Sequence, residues 1–305
     1  ARIRHEDEDA SLWLAKPHAN HVLEPEAARV SNSWWTKRGE PLSKVRQLCA
    51  AKCQAFPGVN AMKSRYTGGK ASARCPFGCG TAETQAHLLG GCAQFAPFHT
   101  RRHDHVLRLL ARFLGEECGL SVVATHDSAA NARRAPQLPA RLLEAVPARL
   151  RHLRPDIVVE SQPPPPPPPP PLPLPHRPPR AGRAAMPEPH PPLPAATVLE
   201  VGVTTAVREE DLDRAWDEKQ AQYREYCQGA GFDNRVLLFG ATGCIPARTI
   251  RELQPLVPPT KRKAMHRALT GISRALTRDM FALFHMRAGA ARQQPRAARR
   301  RRAAS

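Results

Sequence analysis

The segment from Arg74 to Cys92, RCPFGCGTAETQAHLLGGC, contains three cysteines and one histidine with the spacing Cys-x3-Cys-x7-His-x4-Cys. Zinc takes four sulfur or nitrogen ligands in a tetrahedron, and two close ligand pairs joined by a short span can supply them. Glycines at positions 78 and 80 allow the first turn to fold back, so that both thiolates point inward. We expect a closed, structural zinc knuckle over residues 71–100, with the ligands Cys75, Cys79, His87 and Cys92. The alternative is three ordinary cysteines beside a surface histidine.

The chain is strongly basic, with 46 Lys and Arg against 27 Asp and Glu and a formal net charge of +19. Counterion release favours a polyanionic partner, so we expect nucleic acid and no membrane, with a solvated basic surface as the alternative. The 305 residues contain no 18-residue apolar run, no signal peptide and no cysteine pattern typical of secreted proteins. We therefore expect a reducing compartment. Since the chain starts with Ala1, we also expect it to be trimmed or part of a longer protein.

The apolar pattern predicts strands and helices in the order of an α/β fold. Apolar residues recur at helix spacing from His103 to Cys118, and Gly119 is the natural stop. Short β-branched or apolar runs predict four strands, with one helix between the last two. The strands are Leu120–Thr125, Ile157–Val159, Thr197–Val203 and Arg235–Gly240, and the helix is Arg208–Cys227.

Residues 161–195 contain 18 of the 33 prolines, nine of them consecutive. Proline lacks the amide donor of helices and ladders, so we expect a disordered, polyproline-type insertion. A ligand for a proline-reading module in an adaptor protein is the alternative. The domain organisation is then a helical linker at 1–70, the knuckle at 71–100, an α/β domain at 101–265 and a basic tail at 266–305. The linker includes a helix at Ser43–Cys53, and the tail is helical, then disordered from about Arg287.

Two acidic residues lie at the predicted strands that flank the insertion. Asp156 opens one strand and Glu200 is inside the next. If these strands pair as a hairpin, both carboxylates converge at one edge of the sheet. Paired carboxylates are ligands for magnesium, which can activate a water molecule beside a phosphate. We therefore expect Asp156 and Glu200 to form a magnesium site.

Phosphodiester cleavage also needs a cation near the developing charge. The familiar nuclease arrangement has this cation two residues after the second acid, where this chain has Gly202. Lys219 on the following helix is the replacement candidate, and a surface lysine is the alternative. Trp216 and Tyr223 share its helix face at the spacing i, i+3 and i+7, so Trp216 can pack while the ammonium reaches the metal.

Arg102-His103-Asp104 precedes the first predicted helix of this region and, taken alone, indicates a polar start of that helix with Asp104 near its N-cap.

The order of these features resembles the C-terminal region of early-branching, site-specific non-long-terminal-repeat retrotransposon polyproteins, over about residues 34–255. In that family a Cys-Cys-His-Cys knuckle follows the reverse transcriptase and a helical linker. An Arg-His-Asp/Asn element, a Lys/Arg-Pro-Asp motif, a strand acid and a helix with Ala-x3-Lys-x3-Tyr come next. Here these are the knuckle, Arg102-His103-Asp104, Arg154-Pro155-Asp156, Glu200, and a helix with Ala215, Lys219 and Tyr223.

The resemblance implies a restriction-endonuclease-like core of the PD-(D/E)xK type that nicks target DNA to prime reverse transcription in the nucleus. Asp156 and Glu200 would be the magnesium ligands, Lys219 the electrostatic partner and Tyr223 an orienting or stacking residue. Nucleic acid would be bound by Arg102, His103 and Arg154. The implied partners are DNA, the element RNA, and a reverse transcriptase domain that was lost or is encoded upstream.

Three features depart from the family pattern. The polymerase is absent from these 305 residues, the second acid is Glu where Asp is common, and the proline-rich insertion separates the two metal-binding strands. A second hypothesis is therefore a catalytically inactive remnant that binds DNA or RNA through its zinc knuckle and basic surface.

Overall fold

The computed structural model of the chain describes residues 26–27, 30–31, 59–70, 72–125, 138–160, 196–206 and 209–303. The helix predicted at 43–53 and the proline-rich insertion at 161–195 lie outside these residues.

The N-terminal part of the described chain consists of the cysteine segment and the helices on either side of it. Helix α1 (Asn60–Tyr66) leads into it, and the glycine pair after α1 turns the chain with φ values of 58° and 83°. Two candidate ligands, Cys75 and Cys79, lie between the bridged residues Arg74 and Ala82. The third, His87, begins a π-helical turn at His87–Gly91, and Cys92 follows that turn. Helix α2 (Ala96–Arg112) follows, extended by a second π-helical turn at Phe113–Glu117.

Helix α2 begins seven residues before the predicted start at His103. Proline in the first helical turn fixes φ near the helical value and has no amide to leave unsatisfied, so Pro97 supports the earlier start. Asp104 is consequently a buried residue within the helix, and its predicted position near the N-cap was wrong. The predicted end is confirmed, since Gly119 has φ 71°.

Four strands form one mixed sheet in the order β1-β2-β3-β4. Strands β1 (Ser121–Thr125), β2 (Ile157–Glu160) and β3 (Ala196–Thr204) are antiparallel neighbours, whereas β4 (Asp233–Gly240) is parallel to β3. Helix α4 (Glu209–Ala230) makes the crossover that a parallel pair requires, and the short helix α3 (Ala140–Ala145) precedes β2. The mixed α/β class is therefore confirmed. The predicted hairpin is also present, because Glu160 pairs with Ala196 and residues 161–195 connect the two strands.

The remaining helices are α5 (Ala247–Leu253) and α6 (Arg262–Ala303). Helix α6 runs without interruption across the expected boundary between residues 265 and 266. Its apolar residues recur every three or four positions and are buried at Leu269, Ile272, Leu276, Met280 and Leu283. The expectation of disorder from Arg287 onward was wrong, since the backbone is helical to Ala303 and the Arg287 side chain is buried.

The sheet is covered on both faces. Leu199 and Val201 of β3 face α2 and α6, whereas Val198 faces the aromatic residues of α4. The cysteine segment packs against the end of this core, where Leu88 and Leu89 meet Leu283 and Phe284 of α6. The knuckle thus shares a hydrophobic cluster with the α/β domain.

Candidate metal centre and acidic site

The four candidate ligands of the cysteine segment converge. One ligand atom from each of Cys75, Cys79, His87 and Cys92 lies within 4.8 Å of the others. The Sγ of Cys92 is 4.0 Å from that of Cys75 and 3.5 Å from that of Cys79. Zinc–sulfur bonds of about 2.3 Å in a tetrahedron separate two sulfurs by ~3.8 Å, so these distances fit one shared ion. The cluster could hold a metal such as zinc.

The imidazole of His87 gives a second indication of a metal. Its Nε2 atom is buried and has no hydrogen-bond partner among the described residues. Its Nδ1 atom lies 3.3 Å from the hydroxyl of Thr81. Metal-binding histidines commonly use one nitrogen for the ion and the other for an orienting hydrogen bond. Nε2 is therefore the atom available for a metal.

The thiol of Cys92 is costly to ionise without a cation. Burial, together with the neighbouring Cys79 and Cys75, raises the pKa of Cys92 to about 12. A bound divalent cation favours the thiolate, so metal binding and deprotonation are linked.

Asp156 and Glu200 meet at the start of β2, where β2 lies beside β3. The Asp156 amide lies 3.3 Å from Glu200 Oε1, and Asp156 Oδ2 accepts a 2.8 Å hydrogen bond from the Val201 amide. Both side chains are buried, with Glu200 only 2% exposed. The hairpin register therefore brings the two predicted acids together.

Beyond Leu199, β3 has no residue of β2 opposite it, and polar side chains bind its backbone instead. The last residue pair between β2 and β3 is Ile157 with Leu199, so Val201 has no β2 residue opposite it. Asp156 accepts the Val201 amide hydrogen, and His103 Nε2 lies 3.1 Å from the Val201 carbonyl oxygen. Buried backbone groups require such partners. The strand end is thus held by the same side chains that form the candidate site.

His103 lies between two carboxylates. Its Nε2 is 3.5 Å from Asp156 Oδ2, and its Nδ1 is 3.6 Å from Asp104 Oδ1. Burial acts to lower the pKa of His103, but its hydrogen bond to Asp156 and the charge of Asp156 more than offset this effect and raise the pKa.

Lys219 occupies the space above Gly202. Its Nζ lies 3.5 Å from Glu200 Oε2. A Cβ atom at Gly202 would lie 3.2 Å from Lys219 Cε and 2.5 Å from Leu238 Cδ2. The bare glycine therefore makes room for the lysine of α4. The structure brings together the predicted residues Asp156, Glu200 and Lys219.

The pKa of Glu200 lies far above its ordinary value. Burial and the charge of Asp156 raise the pKa of Glu200 to about 8, although Lys219 acts in the opposite direction. Adjacent carboxylates in a dry site cannot both ionise without nearby positive charge. The acid pair therefore favours an additional cation.

Tyr223, Trp216 and Arg154 lie around this centre, and the Tyr223 hydroxyl interacts with Glu200. The Tyr223 hydroxyl donates a 2.9 Å hydrogen bond to the carbonyl oxygen of Arg154, which fixes the chain just before Asp156. Trp216 is buried, and Arg248 stacks 4.5 Å above its ring. The Arg154 side chain is exposed beside the site.

Arg102, which was predicted to bind nucleic acid, is buried within the fold. It is only 2% exposed, and its Nη2 donates a 2.7 Å hydrogen bond to the carbonyl oxygen of Leu89. Its position in α2 points it at the knuckle, which the motif Arg-His-Asp could not reveal. Burial lowers the pKa of Arg102 to about 10.

His87 of the cysteine cluster and Lys219 line one cleft of about 690 Å³, whereas Asp156 and Glu200 are buried and are not among its lining residues. The knuckle contributes His87, Gly90 and Gly91 to one wall, and the other is formed by residues 201–205 with Glu218 and Lys219. His103 also lines the cleft. The sequence gives no signal for Gly90, Thr205 or Glu218, because no spacing pattern relates a turn in the knuckle to the end of a distant strand.

No protein-family model matches the chain, and no curated protein matches its sequence. Within the described residues, no helix combines the length and the apolar character needed to cross a bilayer.

Proposed function

We propose that the chain is a metal-dependent endonuclease that nicks DNA, with Asp156, Glu200 and Lys219 as its catalytic residues. The observation that carries the proposal is their juxtaposition. The buried Glu200 carboxylate lies 3.3 Å from the Asp156 amide and 3.5 Å from the Lys219 ammonium, and Lys219 lines an open cleft. Phosphodiester hydrolysis requires this combination of oxygen ligands for a cation and a positive group near the phosphate.

Asp156 and Glu200 fit magnesium. Both offer oxygen ligands, and a divalent cation would offset the burial and the charge of Asp156 that raise the pKa of Glu200. When bound there, magnesium would activate a water molecule and stabilise charge on the phosphate.

The remaining residues position these groups. His103 holds Asp156 from the α2 side, and the Tyr223 hydroxyl holds the chain at Arg154. Lys219 is 31% exposed in its side chain and reaches the cleft, where its ammonium can meet a phosphate oxygen. Attack by water that breaks the P–O3′ bond leaves a 5′ phosphate and a free 3′ hydroxyl at the nick, and a polymerase can extend that hydroxyl.

We further propose that the ion at Cys75, Cys79, His87 and Cys92 is zinc with a structural role. Three thiolates and one imidazole suit zinc, and four protein ligands leave no position for substrate.

The restriction-endonuclease-like assignment and a retrotransposon origin are parts of the same proposal. Their support is the order of the motifs along the chain and the meeting of Asp156, Glu200 and Lys219 in space. With them we propose a nuclear location, DNA and element RNA as ligands, and a separate or upstream reverse transcriptase domain as partner.

Nicking of supercoiled DNA with added magnesium tests the catalytic assignment. Asp156→Asn and Lys219→Met are each expected to lower the nicking rate by on the order of 100-fold or more, because each removes a charge at the reacting phosphate. Asp217→Asn and Lys263→Met make the same changes at exposed positions and should nick like the wild type. Equal activity of Asp156→Asn and Asp217→Asn would exclude the assignment.

An inactive nucleic-acid binder is the second candidate, favoured by the net charge of +19. It predicts DNA binding whose affinity falls linearly with salt on logarithmic axes, and no nicking with magnesium or manganese. Detectable magnesium-dependent nicking that Asp156→Asn abolishes would exclude it.

A further inference from the structure

One face of α2 holds the knuckle. His99 Nε2 lies 3.2 Å from the carbonyl oxygen of Leu88, and Arg102 Nη2 donates to that of Leu89 at 2.7 Å. Both carbonyls belong to the π-helical turn His87–Gly91, which carries one of the four ligands. The turn that presents His87 is therefore fixed to α2.

The same helix face holds the acidic site. His103 follows Arg102 directly and contacts both the Val201 carbonyl and Asp156. Residues 99, 102 and 103 are spaced i, i+3 and i+4, so they lie on one side of the helix within about 6 Å along its axis. A shift of the knuckle relative to α2 would thus be transmitted to the strand end that carries the acids.

Arg102 stabilises the contact between α2 and the knuckle turn, although burying its charge costs free energy. It is a cation with almost no exposure, and its Nε and Nη1 atoms have no hydrogen-bond partner among the described residues. Burying such a charge is unfavourable unless its remaining interactions are strong. Within the described part of the chain, Arg102 donates a hydrogen bond to the knuckle turn at Leu89, and the charge of Asp279 also favours the cation.

A second contact joins the knuckle directly to the sheet. A Cβ atom at Gly90 would lie only 3.0 Å from Thr205 Cγ2, just beyond the end of β3. Gly90 and Thr205 both line the cleft, so the knuckle turn and the residue after β3 meet within its lining. The absence of a side chain at Gly90 lets the knuckle turn come this near.

We propose that the knuckle is a wall of the nucleic-acid cleft and that zinc occupancy sets the geometry of the acidic site. The coupling runs through the α2 face and through the contact of Gly90 with Thr205. The identity of the nucleic-acid ligand rests on the proposed nuclease function, whereas the coupling rests only on the proposed zinc at the cysteine cluster.

Hydrogen exchange on the full chain tests the coupling without reference to activity. Amides of residues 201–204 should exchange at least about tenfold faster after a chelator removes zinc, because the strand end loses its fixed neighbours. Helix α3 packs on the far part of α4 and should change by less than about twofold. Unchanged exchange at 201–204, or an equal increase in α3, would overturn the proposal.

A variant that retains zinc tests whether the knuckle forms a wall of the cleft. Gly90→Ala should keep one zinc per chain but lower kcat/KM for nicking about tenfold or more, because the methyl group pushes against Thr205. Gly115→Ala is the matched control, since this glycine also lies in a π-helical turn and its added Cβ would meet nothing closer than 3.9 Å. Thr205→Ser removes the opposing methyl and should restore Gly90→Ala to within about threefold of the wild type.

Gly90→Ala that behaves like Gly115→Ala, or that Thr205→Ser does not restore, would overturn the wall assignment. If the wild type never nicks DNA, the proposed function fails, and the same variants are compared by DNA affinity. The exchange experiment then still decides the coupling.

Discussion

At the scale of single residues, Gly202 determines how the acidic site is assembled. A lysine on the strand itself would start from this position, and the glycine instead leaves space that Lys219 fills from α4. The sequence pointed to Lys219 because it lies on the same helix face as Trp216 and Tyr223. That the lysine reaches Glu200 depends on how α4 packs on the sheet.

Gly202→Ala is expected to lower the free energy of unfolding by about 1–3 kcal/mol, because its methyl group collides with Leu238 and crowds Lys219. Gly271→Ala is the control, since it lies within α6 with open space around it and should stabilise the helix by about 0.5–1 kcal/mol. Urea unfolding measures both. Equal stability of the two variants would show that the close packing at Gly202 is unimportant.

Glu200 predicts a pH dependence of stability. Its pKa is about 8 in the folded chain against an ordinary value of 4.5, so the folded state binds this proton more tightly than the unfolded state. The free energy of unfolding contributed by this group therefore falls as pH rises from 4.5 to about 8. Glu200→Gln should remove this dependence on pH. Between pH 4.5 and about 8, the free energy of unfolding of the variant should rise relative to that of the wild type by on the order of 1 kcal/mol or more.

Urea unfolding at several pH values, with zinc bound and no magnesium added, measures the slope for Glu200→Gln. Glu225→Gln alters an exposed ion pair with Arg149 and serves as the control. Parallel pH curves for the wild type and Glu200→Gln would contradict the raised pKa.

At the scale of elements, helix α6 connects the predicted basic tail with the knuckle, two regions that the sequence predicted to be separate. Arg287 forms two hydrogen bonds to the carboxylate of Glu83 in the knuckle, at 2.8 and 2.6 Å, and a third to the Asn60 side chain at the start of α1. Basic residues near the end of a chain usually indicate a solvated tail. Here the apolar period of α6 continues far enough to bury one of them against an acid 204 residues away.

Arg287→Met is expected to lower the free energy of unfolding by about 3–5 kcal/mol, because it leaves the fully buried Glu83 without its partner. Arg267→Met makes the same change on the same helix but breaks only an exposed pair with Glu117, which should cost less than about 1 kcal/mol. Thermal or urea unfolding compares the two variants. A cost for Arg287→Met as small as that for Arg267→Met would exclude the buried pair as a link between α6 and the knuckle.

At the scale of the whole molecule, the knuckle and the α/β domain share one hydrophobic cluster. Leu88, Leu89 and Phe95 pack with Met280, Leu283 and Phe284. A small metal-stabilised module on a linker would unfold independently of its neighbour. This packing predicts that the two parts unfold together.

Cys92→Ser should abolish zinc binding and lower the melting temperature of the entire chain, since zinc binding contributes to the folding free energy. Cys118→Ser changes a cysteine outside the cluster and should retain zinc and melt close to the wild type. Circular dichroism and zinc release, followed during heating of the wild type, should report the same transition. Zinc loss well below the main transition would contradict cooperative unfolding.

The sequence by itself determined the cysteine–histidine cluster, the β-branched strands and the proximity of Asp156 to Glu200, because each rests on local spacing or strand periodicity. The β2–β3 hairpin needed only two strands and a tolerant connection, so the proline-rich insertion did not hide it. The start of α2, the buried position of Arg102 and the extent of α6 were missed. Each depends on contacts between residues distant in the chain, and local polarity gives no sign of them.

Only the tertiary structure decided that His87 of the cysteine cluster and Lys219 beside Glu200 line one cleft. Spacing specifies which side chains can hold an ion, but it does not specify what the knuckle packs against. The contacts of His99, Arg102 and Gly90 with groups in other elements decide that, because burial of the knuckle's apolar side chains against α6 leaves its glycine turn facing the end of β3.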